Sequence, residues 1–315
     1  MKIKAVVPVL LALLGLPLVS RVAVAQVDLS ANWAINLDED YQPRFSGPDF
    51  VDYAGIPLNE EGRAGSLSYT TATVAEIGRQ CQFWPQHYLL LGPFGARMWA
   101  DLDPITGTVL AWNIAGSPDR AQIVIWMDGR EHPAAEAPHT LGGFATGKWE
   151  GDTLVATVSH MKAGNLTRNG VPSSDRERLT LYITRHEDML TIVALVEDPI
   201  YLAEPFIMSR TWTQASSNLA APPAVCSEEE ELSSVANGNV PHYLPGKNPA
   251  LNEVHQRYNI PQEAVMGGPA TMYPEYRKQL RLSYTPPKNY CGRYCCGTGM
   301  DLGYISTVLR CQHGP

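Results

Sequence analysis

From Thr108 to Trp212 the chain runs in short apolar–polar alternations punctuated by turn residues. Thr108–Ala115 (TVLAWNIA) and Gln122–Met127 (QIVIWM) are β-rich and flank a Gly-Ser-Pro-Asp stretch, and Asp128-Gly129 follows as a turn. Leu179–Thr184 (LTLYIT) and Leu190–Val196 (LTIVALV) flank Arg185-His186-Glu187-Asp188, and Phe206–Trp212 (FIMSRTW) closes the series. Period-two alternation over runs this short predicts half-buried strands rather than helices. Short antiparallel strands joined by tight turns predict a mainly β fold, a meander closing into a lipocalin-like barrel that leaves no exposed edge.

The run HTLGGFATGKWEGDTLVATVSH, from His139 to His160, carries the most specific pattern. With Gly151-Asp152 as the two central residues of a type II′ turn, Glu150 lies opposite Thr153, Trp149 opposite Leu154, and Gly143 opposite His160. Alternation then gives one face Gly143, Ala145, Gly147, Trp149, Leu154, Ala156, Val158 and His160. The other face holds Phe144, Thr146, Lys148, Val155, Thr157 and Ser159. The first face is apolar and rich in small side chains. Facing a barrel interior, it is expected to leave room for a small molecule beside Trp149 and His160. His139 shares that parity if the strand extends back to it, but four residues of extended chain put it about 13 Å beyond Gly143. The two histidines are therefore expected to line one cavity without sharing one metal ion.

Past Cys226 the alternation stops. Glu228–Glu231 is an acidic run, and Ser233–Pro249 has the Ser, Asn, Gly and Pro content of a linker. Leu251–Tyr258 and Glu275–Leu282 have the character of short helices, which hold only when packed on something larger. The expected organisation is a leader over residues 1–25, a barrel over 26–230, and an irregular, partly helical, Cys-rich extension over 231–315.

The leader changes the picture of compartment. Lys2 and Lys4 precede an apolar run, Ala5–Ser20, and Ala23-Val24-Ala25 has the small-residue cleavage pattern of a secretory signal peptide. Its removal takes away three of the 24 basic residues and none of the 32 acidic ones, moving the formal charge from −8 to −11. A nucleic-acid partner would need a basic footprint, which this composition lacks. No later apolar stretch has the length of a membrane-spanning helix. The expected location is the periplasm or the medium.

Six cysteines suit an oxidising compartment. Cys291, Cys295, Cys296 and Cys311 crowd the C-terminus with spacing that admits zinc, but adjacent cysteines rarely both ligate one tetrahedral ion, and disulfides are the expectation. Cys81 and Cys226 bracket the predicted barrel and are expected to pair.

An inward histidine acquires chemistry from its neighbours. Asp198 and Glu204, in the loop Asp198-Pro-Ile-Tyr-Leu-Ala-Glu-Pro205, are the candidate carboxylates, and Tyr201 adds a hydroxyl. Arg168-Asn-Gly170 is a turn just past His160. His160 as general acid or base, Asp198 or Glu204 orienting it, and Arg168 and Tyr201 stabilising negative charge suffice for proton transfer without a cofactor. The chain carries no GxSxG elbow, HExxH, P-loop or dinucleotide fingerprint. Asn165-Leu-Thr167 matches a glycosylation acceptor, and His132-Pro133 reads as loop-shaping.

Several longer stretches carry a resemblance. Trp126-Met-Asp-Gly-Arg-Glu-His-Pro133, Gly143–Val155 (GFATGKWEGDTLV), Arg168-Asn-Gly170 and Asp198–Pro205 (DPIYLAEP) are similar to a family of exported bacterial proteins. Its members read MDGRPHP, GFSTGRWEGDTLVV, RNG and DPVYLTEP. The likeness extends through Asp28–Trp33, Asp52–Asn59, Pro241–Gly246 and Thr271–Tyr276, and stops before Cys291. It implies export and site positions along these motifs, and it implies no reaction.

The functional expectation is lyase- or isomerase-type acid–base chemistry on a hydrophobic or aromatic small molecule, with Trp149, Gly143, Ala145, Gly147, Ala156 and His139 lining the cavity. The first alternative is a carrier or scavenger that holds the same ligand unchanged. The second is a metalloenzyme using His139 and His160.

Overall fold

The structure, a computed structural model, describes residues 27–36, 39, 48, 52–53, 55–70, 84–92, 94–116, 121–216, 243–244 and 246–285. The leader, the acidic run 228–231 and all six cysteines lie outside the described residues.

The alternating runs form strands close to where the pattern places them. They are β3 (Val109–Ala115), β4 (Ile123–Trp126), β5 (Phe144–Glu150), β6 (Thr153–Ser159), β9 (Arg178–His186), β10 (Met189–Glu197) and β11 (Phe206–Ala215). Two strands that the pattern does not single out, β1 (Ala31–Ile35) and β2 (Ala96–Leu102), complete the ring. The nine close into a barrel in the order β1-β11-β10-β9-β6-β5-β4-β3-β2. A short ladder of β7 (Gly164–Asn165) and β8 (Pro172–Ser173) stands apart from it.

One pairing departs from a meander. β4 and β5 are parallel, joining Ile125 to Ala145 and Trp126 to Thr146. Parallel neighbours cannot be joined by a tight turn, because the chain must travel back along the sheet before re-entering it. Residues 127–143 are that crossover, and they carry the Asp-Gly-Arg-Glu-His-Pro stretch. The barrel is therefore mixed, not wholly antiparallel.

The β5–β6 hairpin has the predicted register, with Glu150 opposite Thr153, Trp149 opposite Leu154 and Phe144 opposite Ser159. Leu154, Ala156 and Val158 are fully buried and Ala145 nearly so. Corresponding rows from the other strands meet them: Ile123 and Ile125, Leu179, Leu181 and Ile183, and Leu190, Ile192, Ala194 and Val196. Trp33, Trp112 and Trp212 are the largest side chains in this core.

The small residues do not leave the room expected of them. A Cβ on Gly147 would come within 2.6 Å of Ile125 Cγ2 and 2.9 Å of Met127 Sδ, so those side chains already fill the space beside it. Gly143 has φ +68 at the entrance to β5, and a Cβ there would meet Met161 Cγ and Ser159 O at 2.8 Å. Gly143 and Gly147 are thus close-packed, and Ala145 and Ala156 are buried in the same core.

One end of the barrel is where β5, β9 and β11 begin and β6 and β10 end. A 3-10 turn, Gln86–Leu89, covers it, with Gln86 Nε2 donating to the carbonyls of Ala121 and Leu141. Helix α1 (Glu60–Ser68) docks there too. Its N-cap Asn59 accepts from Gly62 N and donates through Nδ2 to Ile200 O at 2.8 Å. Leu58 bridges to Leu202 alongside. Beyond the barrel lie α2 (Glu253–Tyr258), α3 (Gln262–Val265), α4 (Pro269–Met272) and α5 (Pro274–Ser283), the first within the stretch read as helical there and the last one residue longer at each end. Among the described residues no helix is long and apolar enough to cross a membrane.

Candidate functional site

The capped end holds a buried imidazole–carboxylate pair that the sequence reading missed. Glu177 continues the inward parity of Leu179, Leu181 and Ile183 two residues before them, and it is 2% exposed. His87, on the 3-10 turn, is fully buried, and its Nδ1 lies 2.7 Å from Glu177 Oε1. The carboxylate accepts there, so Nδ1 carries the hydrogen and Nε2 presents its lone pair in the neutral ring. His87 Nε2 and Glu177 Oε2 are both buried and make no hydrogen bond among the described residues. Buried polar atoms are nearly always satisfied, so two orphans on one hydrogen-bonded pair single it out.

The neighbours of His87 form a polar and aromatic rim. Tyr88 stacks on Trp84, with ring centroids 4.4 Å apart. Arg168 Nε donates to the Tyr88 hydroxyl, and its guanidinium lies 5.7 Å from the Tyr88 ring centroid. The turn that presents Arg168 is closed by Gly170 N donating to Thr167 O, and Asn169 Nδ2 ties it to Asp52 O at 2.7 Å. Arg168 is thus brought to Tyr88, the residue after His87. Trp112 Nε1 and, toward the tip of the β5–β6 hairpin, Trp149 Nε1 are also buried without a hydrogen bond among the described residues.

The predicted carboxylates are occupied elsewhere. Asp198 accepts from Ser174 N at 2.6 Å, Ser174 Oγ at 2.8 Å, and Ile200 N at 2.9 Å. Its oxygens hold the loop to Ser174 and do not orient His160, which corrects the expected role. Both oxygens of Glu204 accept the exposed Tyr273 hydroxyl, at 2.6 and 2.7 Å, and that bond raises the Tyr273 pKa. Tyr201 lies in the Asp198 loop, and burial, with the Asp198 charge next, raises its pKa as well. A phenol held protonated is a hydrogen-bond donor, but Tyr201 and His160 share no contact.

His160 does not point into the barrel. Its φ of +56 is left-handed, which carries its ring off the inward parity of β6. His160 Nδ1 lies 2.7 Å from Ser159 Oγ, and Nε2 lies 2.9 Å from Ala134 O in the crossover. His139 is nearer than an extended strand allows, because Thr140 bridges Met161 in parallel and bonds His160 O through its amide. The His139 and His160 ring centroids are 5.1 Å apart. The expected separation of about 13 Å fails for that reason. His139 Nδ1 donates to Met161 O at 2.9 Å. Both His160 nitrogens are committed, and among the described residues no group of three His, Cys, Asp or Glu is placed to hold a metal ion.

His132 completes this outer cluster. The crossover lays it on the outward residues of the hairpin, with Nδ1 2.7 Å from Ser159 Oγ and Nε2 3.0 Å from Thr146 Oγ1 and 3.2 Å from Thr157 Oγ1. Partial burial, with smaller contributions from His160 and Arg178, holds its pKa below the ordinary imidazole value. A histidine depressed in the folded state takes up its proton in the unfolded chain first. Its contribution to stability is therefore complete above about pH 6.5 and is lost as pH falls through the folded value. Denaturant midpoints are expected to drop between about pH 7.5 and about pH 5, and His132→Gln is expected to flatten that drop. Equal acid losses in the two proteins would contradict this.

Comparison with protein-family models, with curated proteins and with solved structures finds no match to this chain, so the geometry of the capped end and the outer cluster carries the functional reading.

Proposed function

We propose that this chain is an exported lipocalin-like β-barrel protein that binds a hydrophobic or aromatic small molecule at its capped end. It acts on that molecule by cofactor-independent acid–base chemistry of the lyase or isomerase type. The carrying observation is the buried His87–Glu177 pair with Nε2 and Oε2 both unbonded. Glu177 fixes the tautomer and compensates the imidazolium, as the acidic partner of a catalytic histidine does. His87 Nε2 takes a proton from a carbon or hydroxyl of the ligand beside an unsaturated or carbonyl group. The electron pair shifts along that group, and His87 returns the same proton at a second position, so no atom is gained or lost in an isomerisation. Arg168 and Tyr88, hydrogen-bonded to each other next to His87, would supply donors to developing negative charge on a ligand oxygen. The leader sequence supports export.

The test incubates the folded protein with a panel of aromatic and terpenoid compounds and follows products by mass spectrometry. Product formed by the wild-type protein and cut roughly 10²–10⁴-fold in His87→Gln is the expected result. Ligand retained unchanged would overturn the enzymatic reading in favour of a carrier. Turnover abolished by a metal chelator would overturn the cofactor-independent one.

A further inference from the structure

The cluster on the outer face of the barrel has the connectivity of an activated serine. Ser159 Oγ lies 2.7 Å from both His132 Nδ1 and His160 Nδ1. The hydrogen-bond directions follow from one fixed end. A carbonyl oxygen only accepts, so the contact to Ala134 O puts the hydrogen of His160 on Nε2. In the neutral ring Nδ1 then bears the lone pair, and the donor facing it is the Ser159 hydroxyl. Ser159 Oγ in turn accepts from His132 Nδ1–H, and His132 Nε2 accepts from the Thr146 or Thr157 hydroxyl. The serine proton is thus committed to an imidazole whose far side is anchored, which is the arrangement of nucleophile, base and orienting group.

The backbone reinforces it. His160 is one of three non-glycine residues with left-handed φ among the described residues, and it is held there by Thr140 N donating to His160 O at 2.9 Å. Such conformations persist only where the surroundings over-determine them, and they cluster at functional positions. Without that turn the His160 ring would keep its inward parity, on the opposite face from Ser159. His139 stands beside His160, and among the described residues its Nε2 has no bond once Nδ1 donates to Met161 O.

We propose that Ser159 is a nucleophile at a second site, with His160 as its general base, and that it accepts the acyl group of an activated carboxylic ester. The site is independent of the His87–Glu177 pair. The groups that bond Ser159 Oγ are two imidazoles, with the Phe144 ring edge-on to His132 at 5.2 Å and Arg178 close enough to act on His132. The crossover's own guanidinium, Arg130, is committed to Asp128. Among the described residues no guanidinium bonds Ser159 Oγ, which suits an uncharged acyl group better than a phosphoryl group. Oγ forms a bond to the ester carbon as its proton passes to His160 Nδ1, and the alcohol leaves with that proton. Water then attacks the acyl-serine, gives a proton to His160, and releases the acid as Ser159 regains its hydrogen.

The full chain is treated with p-nitrophenyl acetate and, separately, with an alkyl fluorophosphonate, and modified peptides are mapped by mass spectrometry. Acetyl and phosphonyl adducts on Ser159 are expected, absent in Ser159→Ala. His160→Asn keeps a residue tolerant of left-handed φ and is expected to slow labelling roughly a hundredfold. An unmodified Ser159 in folded wild-type protein overturns the proposal, wherever else label appears. An unchanged rate in His160→Asn overturns it too. If that variant fails to fold by circular dichroism, an unchanged labelling rate in folded His160→Gly, which also accepts left-handed φ, does the same.

Discussion

Replacing Glu177 by alanine is expected to cost about 3–5 kcal/mol of stability, because it leaves the His87 Nδ1–H buried with nothing to accept it. Both partners are 2% exposed or less, so water cannot enter to compensate without opening the capped end. The joint replacement Glu177→Leu with His87→Phe is expected to recover most of that loss, since an apolar pair escapes the desolvation penalty that both polar groups incur. Urea denaturation of the wild type, Glu177→Leu, His87→Phe and the double variant forms a cycle that isolates the pair. Single losses below about 1 kcal/mol would mean that the pair is solvated and lacks the orphaned atoms on which the proposed chemistry rests. Turnover separates stability from function: the double variant should be stable and inactive. A stable, active double variant would remove His87 from the mechanism.

Gly170→Ala is expected to destabilise the protein by about 2–5 kcal/mol, through two separable effects. Gly170 has φ +86, and a Cβ there would lie 1.9 Å from Tyr69 Cγ and 2.4 Å from Tyr69 Cβ. The left-handed backbone alone costs an L-residue about 1–2 kcal/mol. The remainder comes from the collision with a ring anchored at its own Cβ, which cannot swing away without moving the chain. Gly151→Ala is the internal control. It also has positive φ, +62, but nothing lies within 4 Å of the added Cβ, so only the backbone cost should appear. Thermal unfolding of both variants measures the difference. Equal losses would mean that Tyr69 does not pack on this turn. The same turn presents Arg168 to Tyr88, so Gly170→Ala should also weaken any turnover at the capped end.

The alternation of side chains by itself determined much of this protein. Period two put Leu154, Ala156 and Val158 on the buried face, and Gly151-Asp152 set the hairpin register, because pleat and turn are local properties of a few residues. Glu177 was legible by the same rule, being two residues before Leu179 on the inward side, had the strand been read back through Arg178. His87 was not legible. It lies on a turn with no period, and its burial comes from docking that turn across the barrel end. The parallel pairing of β4 with β5 was decided only in three dimensions, because a crossover and a hairpin loop can share the same polar, Pro- and Gly-containing sequence. That choice moved His132 and His139 onto the hairpin and so assembled the outer cluster. His160 shows where parity stops: one left-handed residue, imposed by the chain packed against it, reverses the face that alternation assigns.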